Sequence, residues 1–225
     1  MKKHILIAAT LFLCITILQA CNDGSTTKEI TSDTSAHTDG MTHEAGTNSG
    51  HDQMMKQMEG HMNAVKMTGD FDLDFANMMI PHHQGAVDMA EKYLPTAKDE
   101  KIKTMALNII SSQKKEIEDL KSMIATHKPA EIKKEHSNGG HGADGHNELM
   151  DAMKAMMDKM KGMPMSGDAD KDFVTMMIPH HQSAIDMAEN QISHCKNVEL
   201  KKFAQKVIND QSKEIKEFEA WLSSK

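Results

Sequence analysis

One stretch of fourteen residues occurs twice in this chain, and it constrains the fold more than any other feature. MMIPHHQGAVDMAE covers residues 78–91 and MMIPHHQSAIDMAE covers residues 176–189, so twelve of the fourteen positions are identical. Adding 98 to a residue number carries the first copy onto the second without a gap. The chain is therefore a tandem repeat. We expect its two copies, 52–127 and 150–225, to fold alike and to pack about a pseudo-twofold axis.

The two copies have not diverged evenly along their length. Over residues 94–112 only four of nineteen positions match their counterparts at 192–210, whereas the stretch with the histidines is almost unchanged. A repeat that preserved only a fold would retain apolar character rather than residue identity. The repeated stretch is therefore expected to serve a function as well as packing.

Apolar residues recur at steps of three and four in each copy, which is the period of an amphipathic helix. The first copy predicts one helix with the stripe Phe75, Met79, His82, Ala86, Met89 and Tyr93. It predicts a second helix with the stripe Ile102, Ala106, Ile109, Gln113, Ile117, Leu120 and Ile124. Two long helices per copy, joined by a short turn, predict an all-α protein, a four-helix bundle with one crossover connection. The methionine-rich segments 52–66 and 150–163 are expected to form additional short helices.

Two features should shape the first long helix of the repeat. Asp70 or Asp72 is expected to cap its N-terminus. Pro81 lies inside the apolar stripe, so we expect a kink there and a freed carbonyl group near residue 77.

The N-terminus resembles a bacterial lipoprotein signal. Residues 1–20 contain two lysines, a long apolar run and Leu-Gln-Ala directly before Cys21. This order predicts cleavage before Cys21 and lipid modification of that residue, and the alternative is an ordinary signal peptide. The polar residues 21–51 predict a disordered tether, and the segment 128–149, rich in histidine and glycine, predicts a flexible linker. The protein is then expected in the bacterial cell envelope, at the periplasmic or outer-membrane face.

The composition excludes several classes of function. The formal net charge is −7 and the sequence contains no arginine, which argues against binding to a nucleic-acid backbone. Two of the three cysteines lie within the first 21 residues, so no disulfide framework is expected. Methionine, in contrast, accounts for 22 of the 225 residues.

The adjacent histidines of each copy are the strongest candidates for chemistry. His82 and His180 lie on the stripe that should face the core, where an imidazole needs a hydrogen bond or a metal ion. Thioether sulfur selects Cu(I), and imidazole also binds copper. Met79 and Met89, one and two turns from His82, can either share a metal with it or pack in the core. The residues alone leave both interpretations open.

Polar residues on the facing helix are placed to support the histidines. Gln113 and Gln211 interrupt an otherwise apolar stripe, and each is expected to hydrogen-bond a histidine and to fix its tautomer. Glu116 and Glu214, three residues further on, are expected either to do the same or to be solvated. The methionine-rich segments are expected to form a weaker outer surface that collects metal.

Other functions remain open, although common catalytic motifs are absent. The sequence contains no Glu-x-x-His, Cys-x-x-Cys, His-Glu-x-x-His, P-loop or Gly-x-Ser-x-Gly motif. We therefore expect a binding protein rather than an enzyme. One alternative is a metal-dependent oxidase of Cu(I) or of a small reductant, and another is a structural or interaction module that binds no metal.

The repeated motif resembles a known bacterial family. Met-Ile-Pro-His-His at residues 79–83 and 177–181, followed by Ala-x-x-Met-Ala and later by Gln-x-x-Glu-Ile, is similar to domain-of-unknown-function family 305. The resemblance covers residues 70–225 and implies a ferritin-like helical bundle and copper binding in the cell envelope. The metal ligands that it implies, position by position, are Met79, His82, His83, Met89, Met177, His180, His181 and Met187.

These observations together predict a lipid-anchored envelope protein that binds copper, as Cu(I), and either sequesters it or hands it on. The expected partners are the membrane through Cys21, the metal ion and an envelope copper-handling protein. Whether the two motifs hold one ion or two is open at this point.

Overall fold

The computed structural model describes residues 46–128 and 142–225. The predicted signal, Cys21 and most of the predicted tether and linker lie outside the described residues. The helices are α1 (Gly46–Asn63), α2 (Phe71–Tyr93), α3 (Glu100–Thr126), α4 (Gly142–Lys161), α5 (Ala169–His194) and α6 (Val198–Ser223), with a 3₁₀ turn at Leu94–Thr96. These ranges contain no strand, which confirms the all-α fold. None of their helices is long and apolar enough to cross a membrane.

The accessory helices α1 and α4 begin earlier than expected. The helix α1 begins inside the tether predicted over 21–51, and α4 begins inside the linker predicted over 128–149. Contacts with the long helices support these extra turns: the Lys92 ammonium donates to the Gly50 carbonyl at 2.6 Å, and the Asn190 side chain donates to the backbone of α4. Glycine is a poor helix former, so tertiary contact overrides local propensity here.

Both long helices that carry the histidine doublets have an aspartate N-cap. Asp70 accepts the N–H groups of Asp72 and Leu73 and so satisfies two of the free donors at the start of α2. Asp168 caps α5 in the same way. The helix α2 continues through Pro81 without a break, so any bend there is gentle enough to preserve the helix.

The long helices form two hairpins, α2 with α3 and α5 with α6, which pack through α2 and α5. The Tyr93 hydroxyl, at the end of α2, donates to Asp170 at the start of α5. The Gln191 amide, near the end of α5, donates to Asp72 at the start of α2 at 2.9 Å. The two helices are therefore antiparallel, as the predicted pseudo-twofold relation requires.

The same two aspartates hold the turn of the opposite hairpin. Asp170 accepts the backbone N–H groups of Lys98 and Asp99, each at 3.0 Å, just before α3. Asp72 accepts the N–H of Asn197, just before α6, at 3.2 Å. Each copy thus satisfies backbone donors of the other, which fixes the two hairpins relative to each other.

Two apolar clusters fill the bundle, one towards each end. One contains Phe173, Phe218 and Trp221, and the other contains Phe75 and Phe203. Along α2, Met79 belongs to the second cluster and Ala86 to the first. The histidine doublets therefore lie at the level where the two clusters meet.

Candidate metal centre

The inner histidines of the two copies, His82 and His180, contact each other where the two apolar clusters meet. The ring centroids of His82 and His180 are 4.0 Å apart, with the ring planes inclined by 45°. The two residues are 2% and 0% exposed. All four ring nitrogens are shielded from solvent and have no hydrogen-bond partner among the described residues. A buried polar atom left unpaired costs about 1–3 kcal/mol, so the pair is destabilising unless it binds something.

The environment keeps both inner imidazoles neutral at physiological pH. Burial lowers the pKa of His82 well below its usual range, and the neighbouring His180 lowers that pKa further. Burial also lowers the pKa of His180 well below its usual range, with smaller contributions from His181 and His83. Neutral imidazole is the form that binds a metal ion, so neither residue must lose a proton first.

A small cavity adjoins the histidine pair. Its volume is about 10 Å³, close to that of one water-sized sphere. Its lining residues are Met58, Met62, Pro81, His82, Gly85, Met153, Met156 and His180. Besides the histidines, the side-chain donors in this lining are four thioethers from α1 and α4. Imidazole nitrogen together with thioether sulfur is a donor set suited to Cu(I).

Gly85 keeps the space beside His180 open. A Cβ atom at position 85 would lie 3.2 Å from Nε2 of His180 and 3.7 Å from Cγ of Met58. The second copy has Ser183 at the equivalent position, and its hydroxyl donates to the carbonyl of Ala152 at 3.1 Å. The repeat is therefore asymmetric at this position, and the cavity lies on the glycine side.

The outer histidine of each doublet lies against a glutamate. Nε2 of His181 is hydrogen-bonded to Glu214 at 2.7 Å. Nε2 of His83 lies 2.9 Å from a carboxylate oxygen of Glu116. Of the two alternatives for these glutamates, contact with a histidine is therefore the one observed. A carboxylate in this position orients an imidazole and raises its basicity.

The two glutamates differ in their surroundings. The side chain of Glu116 is 6% exposed and also contacts the Lys206 ammonium at 2.6 Å. Burial raises the pKa of Glu116, but His83 and Lys206 outweigh burial, so the pKa is lowered and the carboxylate is charged. The side chain of Glu214 is 24% exposed, and Asn108 stands at the position equivalent to Lys206. The two doublets are therefore not electrostatically equivalent.

The structure does not show the hydrogen bonds predicted for the two glutamines. Gln113 and Gln211 are buried, as expected. No hydrogen bond joins them to His82 or His180, because the ring nitrogens of both histidines have no partner among the described residues. The physical reason is the orientation of the two inner imidazole rings. They face each other and the cavity formed by α1, α2, α4 and α5, whereas the glutamines lie on α3 and α6.

The four methionines implied as ligands by the family resemblance lie in the apolar clusters. Met89 and Met177 belong to one cluster, and Met79 and Met187 belong to the other. None of the four lines the cavity beside His82 and His180. Their role as metal ligands therefore stays a prediction, as does that of the outer histidines.

Sequence reasoning assigns the thioethers that line the cavity to an outer surface instead. Met58, Met153 and Met156 are between 2% and 5% exposed, so these three residues do not belong to an outer surface. A signal existed, because Met58 and Met156 occupy equivalent positions in the two copies. The sequence does not show, however, that these helices fold back over the histidine pair.

Thioethers are needed to complete a metal site here. Within residues 46–128 and 142–225, no group of three or more His, Cys, Asp or Glu side chains is placed to hold a metal ion. The inner pair supplies two nitrogens, and further ligands at the cavity have to come from methionine. Such a set is neutral, and it disfavours hard cations, which prefer oxygen.

Comparison with known proteins places these features in context. The model of a family described as "Domain of unknown function (DUF305)" matches residues 17–124 and 72–222. Among curated proteins, the uncharacterized protein L153 of Acanthamoeba polyphaga mimivirus is 40% identical over 53 residues, which are 24% of this chain and 35% of that protein. The chain thus spans about a third of the length of that relative.

Several solved structures are also similar. CopM in the Cu(II)-bound form is 32% identical, with 68% of this chain and 96% of that chain covered and a TM-score of 0.50. CopM in the Cu(I)-bound form is 31% identical, with 68% and 96% covered and a TM-score of 0.49. A DUF305 fragment from Deinococcus radiodurans is 24% identical, with 69% and 97% covered and a TM-score of 0.49.

Proposed function

The chain belongs to the DUF305 family, and we propose that it binds copper, as Cu(I), at the cavity between His82 and His180. One observation carries the proposal: four buried ring nitrogens, without partners among the described residues, lie beside four thioethers. The similarity to CopM, whose structure has been solved with Cu(II) bound, supports copper as the metal.

The chemistry of the site favours the monovalent ion. The imidazoles are neutral and the thioethers carry no charge, so nothing at the cavity compensates a second positive charge. Burying an uncompensated charge is unfavourable, and the penalty rises steeply with the charge of the ion. Soft thioether donors act in the same direction, because they select Cu(I).

We propose that the site binds copper and does not turn over a substrate. A volume of about 10 Å³ accommodates one small ion. An oxidase needs an additional open coordination position for dioxygen or a reductant. The protein would thus hold Cu(I) away from solvent, for sequestration or for transfer to an envelope copper-handling protein.

We extend the proposal to location. The signal pattern in residues 1–20 and Cys21 support a lipid anchor at the membrane. The polar segment that follows supports a tether between the anchor and the helical domain. Copper would then be bound in the cell envelope.

Anaerobic titration with Cu(I) against a chromogenic chelator tests this function. The His82→Ala/His180→Ala variant removes both inner imidazoles and should lose at least a hundredfold in affinity at the cavity. His127→Ala is the matched control, because His127 is a part-buried histidine held by Asp70 at 3.0 Å and does not line the cavity. Unchanged affinity and stoichiometry in the double variant would show that the pair is not the copper site.

A further inference from the structure

Another imidazole with unsatisfied ring nitrogens lies on α1, outside the cavity lining. Both ring nitrogens of His51 are shielded from solvent and have no hydrogen-bond partner among the described residues. We propose that His51, with Met54 and Met55, forms a second and separate site for a soft monovalent cation, of which Cu(I) is the natural example.

The spacing on α1 brings the three donors together. Met54 and Met55 follow His51 by three and four residues, and such residues are neighbours on one helix face, with about 5–6 Å between their Cβ atoms. Met54 is 6% and Met55 is 7% exposed, and both belong to the apolar cluster that also contains Met89. Imidazole and thioether donors in an apolar setting match the preferences of Cu(I).

The second copy shows that packing does not require a histidine here. Leu149 stands at the position equivalent to His51 and is fully buried in the other apolar cluster. Leucine occupies this position without any polar atom, whereas unpaired buried ring nitrogens are unfavourable. A polar residue that breaks a local packing rule is expected where function requires it.

The charges near His51 are compatible with a monovalent ion. The Lys92 ammonium lies 2.6 Å from the carbonyl of Gly50, so one positive charge is close to the site. Lys92 is exposed, and water and salt screen its field. Repulsion from this ammonium acts more strongly on a divalent ion, which again favours Cu(I).

Removal of the imidazole in the full-length protein tests the second site. His51→Leu installs the residue found at the equivalent position, and His127→Leu is the matched control. Under anaerobic titration with Cu(I), His51→Leu should bind one equivalent fewer than the parent, and His127→Leu should bind the same number. Equal stoichiometry in His51→Leu and the parent would overturn the proposal.

A second readout separates this site from the cavity. The ¹⁵N signals of the His51 ring should shift with Cu(I) both in the parent and in His82→Ala/His180→Ala. If those signals shift and the double variant retains full stoichiometry, the cavity proposal fails and the His51 site stands. If the double variant loses copper while the His51 signals stay still, the His51 site fails alone. Should His51→Leu not fold, Met54→Leu/Met55→Leu, which preserves side-chain volume, should show the same loss, and unchanged binding would overturn the proposal.

Discussion

The backbone of Gly85 approaches His180 so closely that a Cβ atom there would lie 3.2 Å from Nε2 of the imidazole. Any larger residue at position 85 would have to displace that ring or fill the space beside it. Gly85 therefore maintains access to the ring nitrogen from the cavity. This access, rather than helix stability, explains glycine in the interior of α2, where it is otherwise unfavourable.

Gly85→Ala should separate metal binding from folding. Alanine is favoured over glycine inside a helix by about 1 kcal/mol, and the tight 3.2 Å contact with His180 acts in the opposite direction, so the metal-free protein should still fold. Its methyl group should crowd His180 and weaken Cu(I) binding about tenfold, as chelator competition would measure. Gly60→Ala on α1 is the control, because no atom lies within 4 Å of a Cβ at that position. Parent-like Cu(I) affinity in Gly85→Ala would argue against the cavity as the metal site.

Met58→Leu/Met156→Leu should lower Cu(I) affinity without unfolding the protein. Exchange of methionine for leucine conserves volume and usually costs less than about 1.5 kcal/mol, so thermal denaturation should change little. The loss of two thioethers from the cavity lining should reduce affinity by at least tenfold in competition with a chelator. Met123→Leu removes a thioether that packs on the other cluster, outside this lining, and should bind as the parent does. If Met58→Leu/Met156→Leu binds Cu(I) as tightly as Met123→Leu does, the thioethers at the cavity are packing residues only.

The stability of the metal-free protein should fall as the pH falls below about 6.5. The pKa values of His82 and His180 are lowered in the folded protein, whereas an unfolded histidine titrates near 6.5. Between the folded and unfolded pKa values the unfolded chain binds more protons, so acid favours unfolding. The slope should approach about 1.4 kcal/mol per pH unit for each histidine. Urea titrations between pH 7.5 and 5.5 should give a shallower slope for His82→Leu/His180→Leu, and parallel slopes would contradict the assignment.

Asp170→Asn should destabilise the bundle more than Asp72→Asn. Asp170 accepts from the Tyr93 hydroxyl and from two backbone N–H groups, whereas Asp72 accepts from the Gln191 amide and one backbone N–H. Burial raises the pKa of Asp170, but its hydrogen bonds outweigh burial and lower it, so the residue is charged at neutral pH. Hydrogen bonds to a charged group contribute about 1.5–3 kcal/mol, which sets the expected loss in urea denaturation. The reverse order would contradict the inference that the number of hydrogen bonds accepted by each carboxylate determines the loss.

The periodic part of the fold can be predicted from the sequence because it is local. His82 shares a stripe with Phe75 and Met79, and that spacing alone places it in the core, as observed. The sequence predicts Asp70 or Asp72 as the N-cap of α2. In the structure the Asp70 side chain accepts the free backbone N–H groups, so Asp70 is the cap. The family resemblance and the all-α bundle are also confirmed. Both could be predicted because each depends on residue spacing along single helices.

The features that could not be predicted depend on the orientation of side chains and on contacts between segments far apart in the sequence. A glutamine in an apolar stripe suggests a hydrogen bond, but spacing does not determine which way the neighbouring imidazole turns. Gln113 is buried as expected, yet the His82 ring faces His180 instead. The covering of the pair by Met58 and Met156 depends on how α1 and α4 pack, and no local pattern encodes that packing.

The antiparallel packing of α2 against α5 has a consequence for how such a site could arise. Each copy contributes one histidine of the inner pair, so a protein with a single copy would complete the pair only by associating with a second molecule in a twofold dimer. In this chain both halves lie on one polypeptide. The pair is, in effect, a subunit interface made intramolecular, and its assembly is independent of protein concentration.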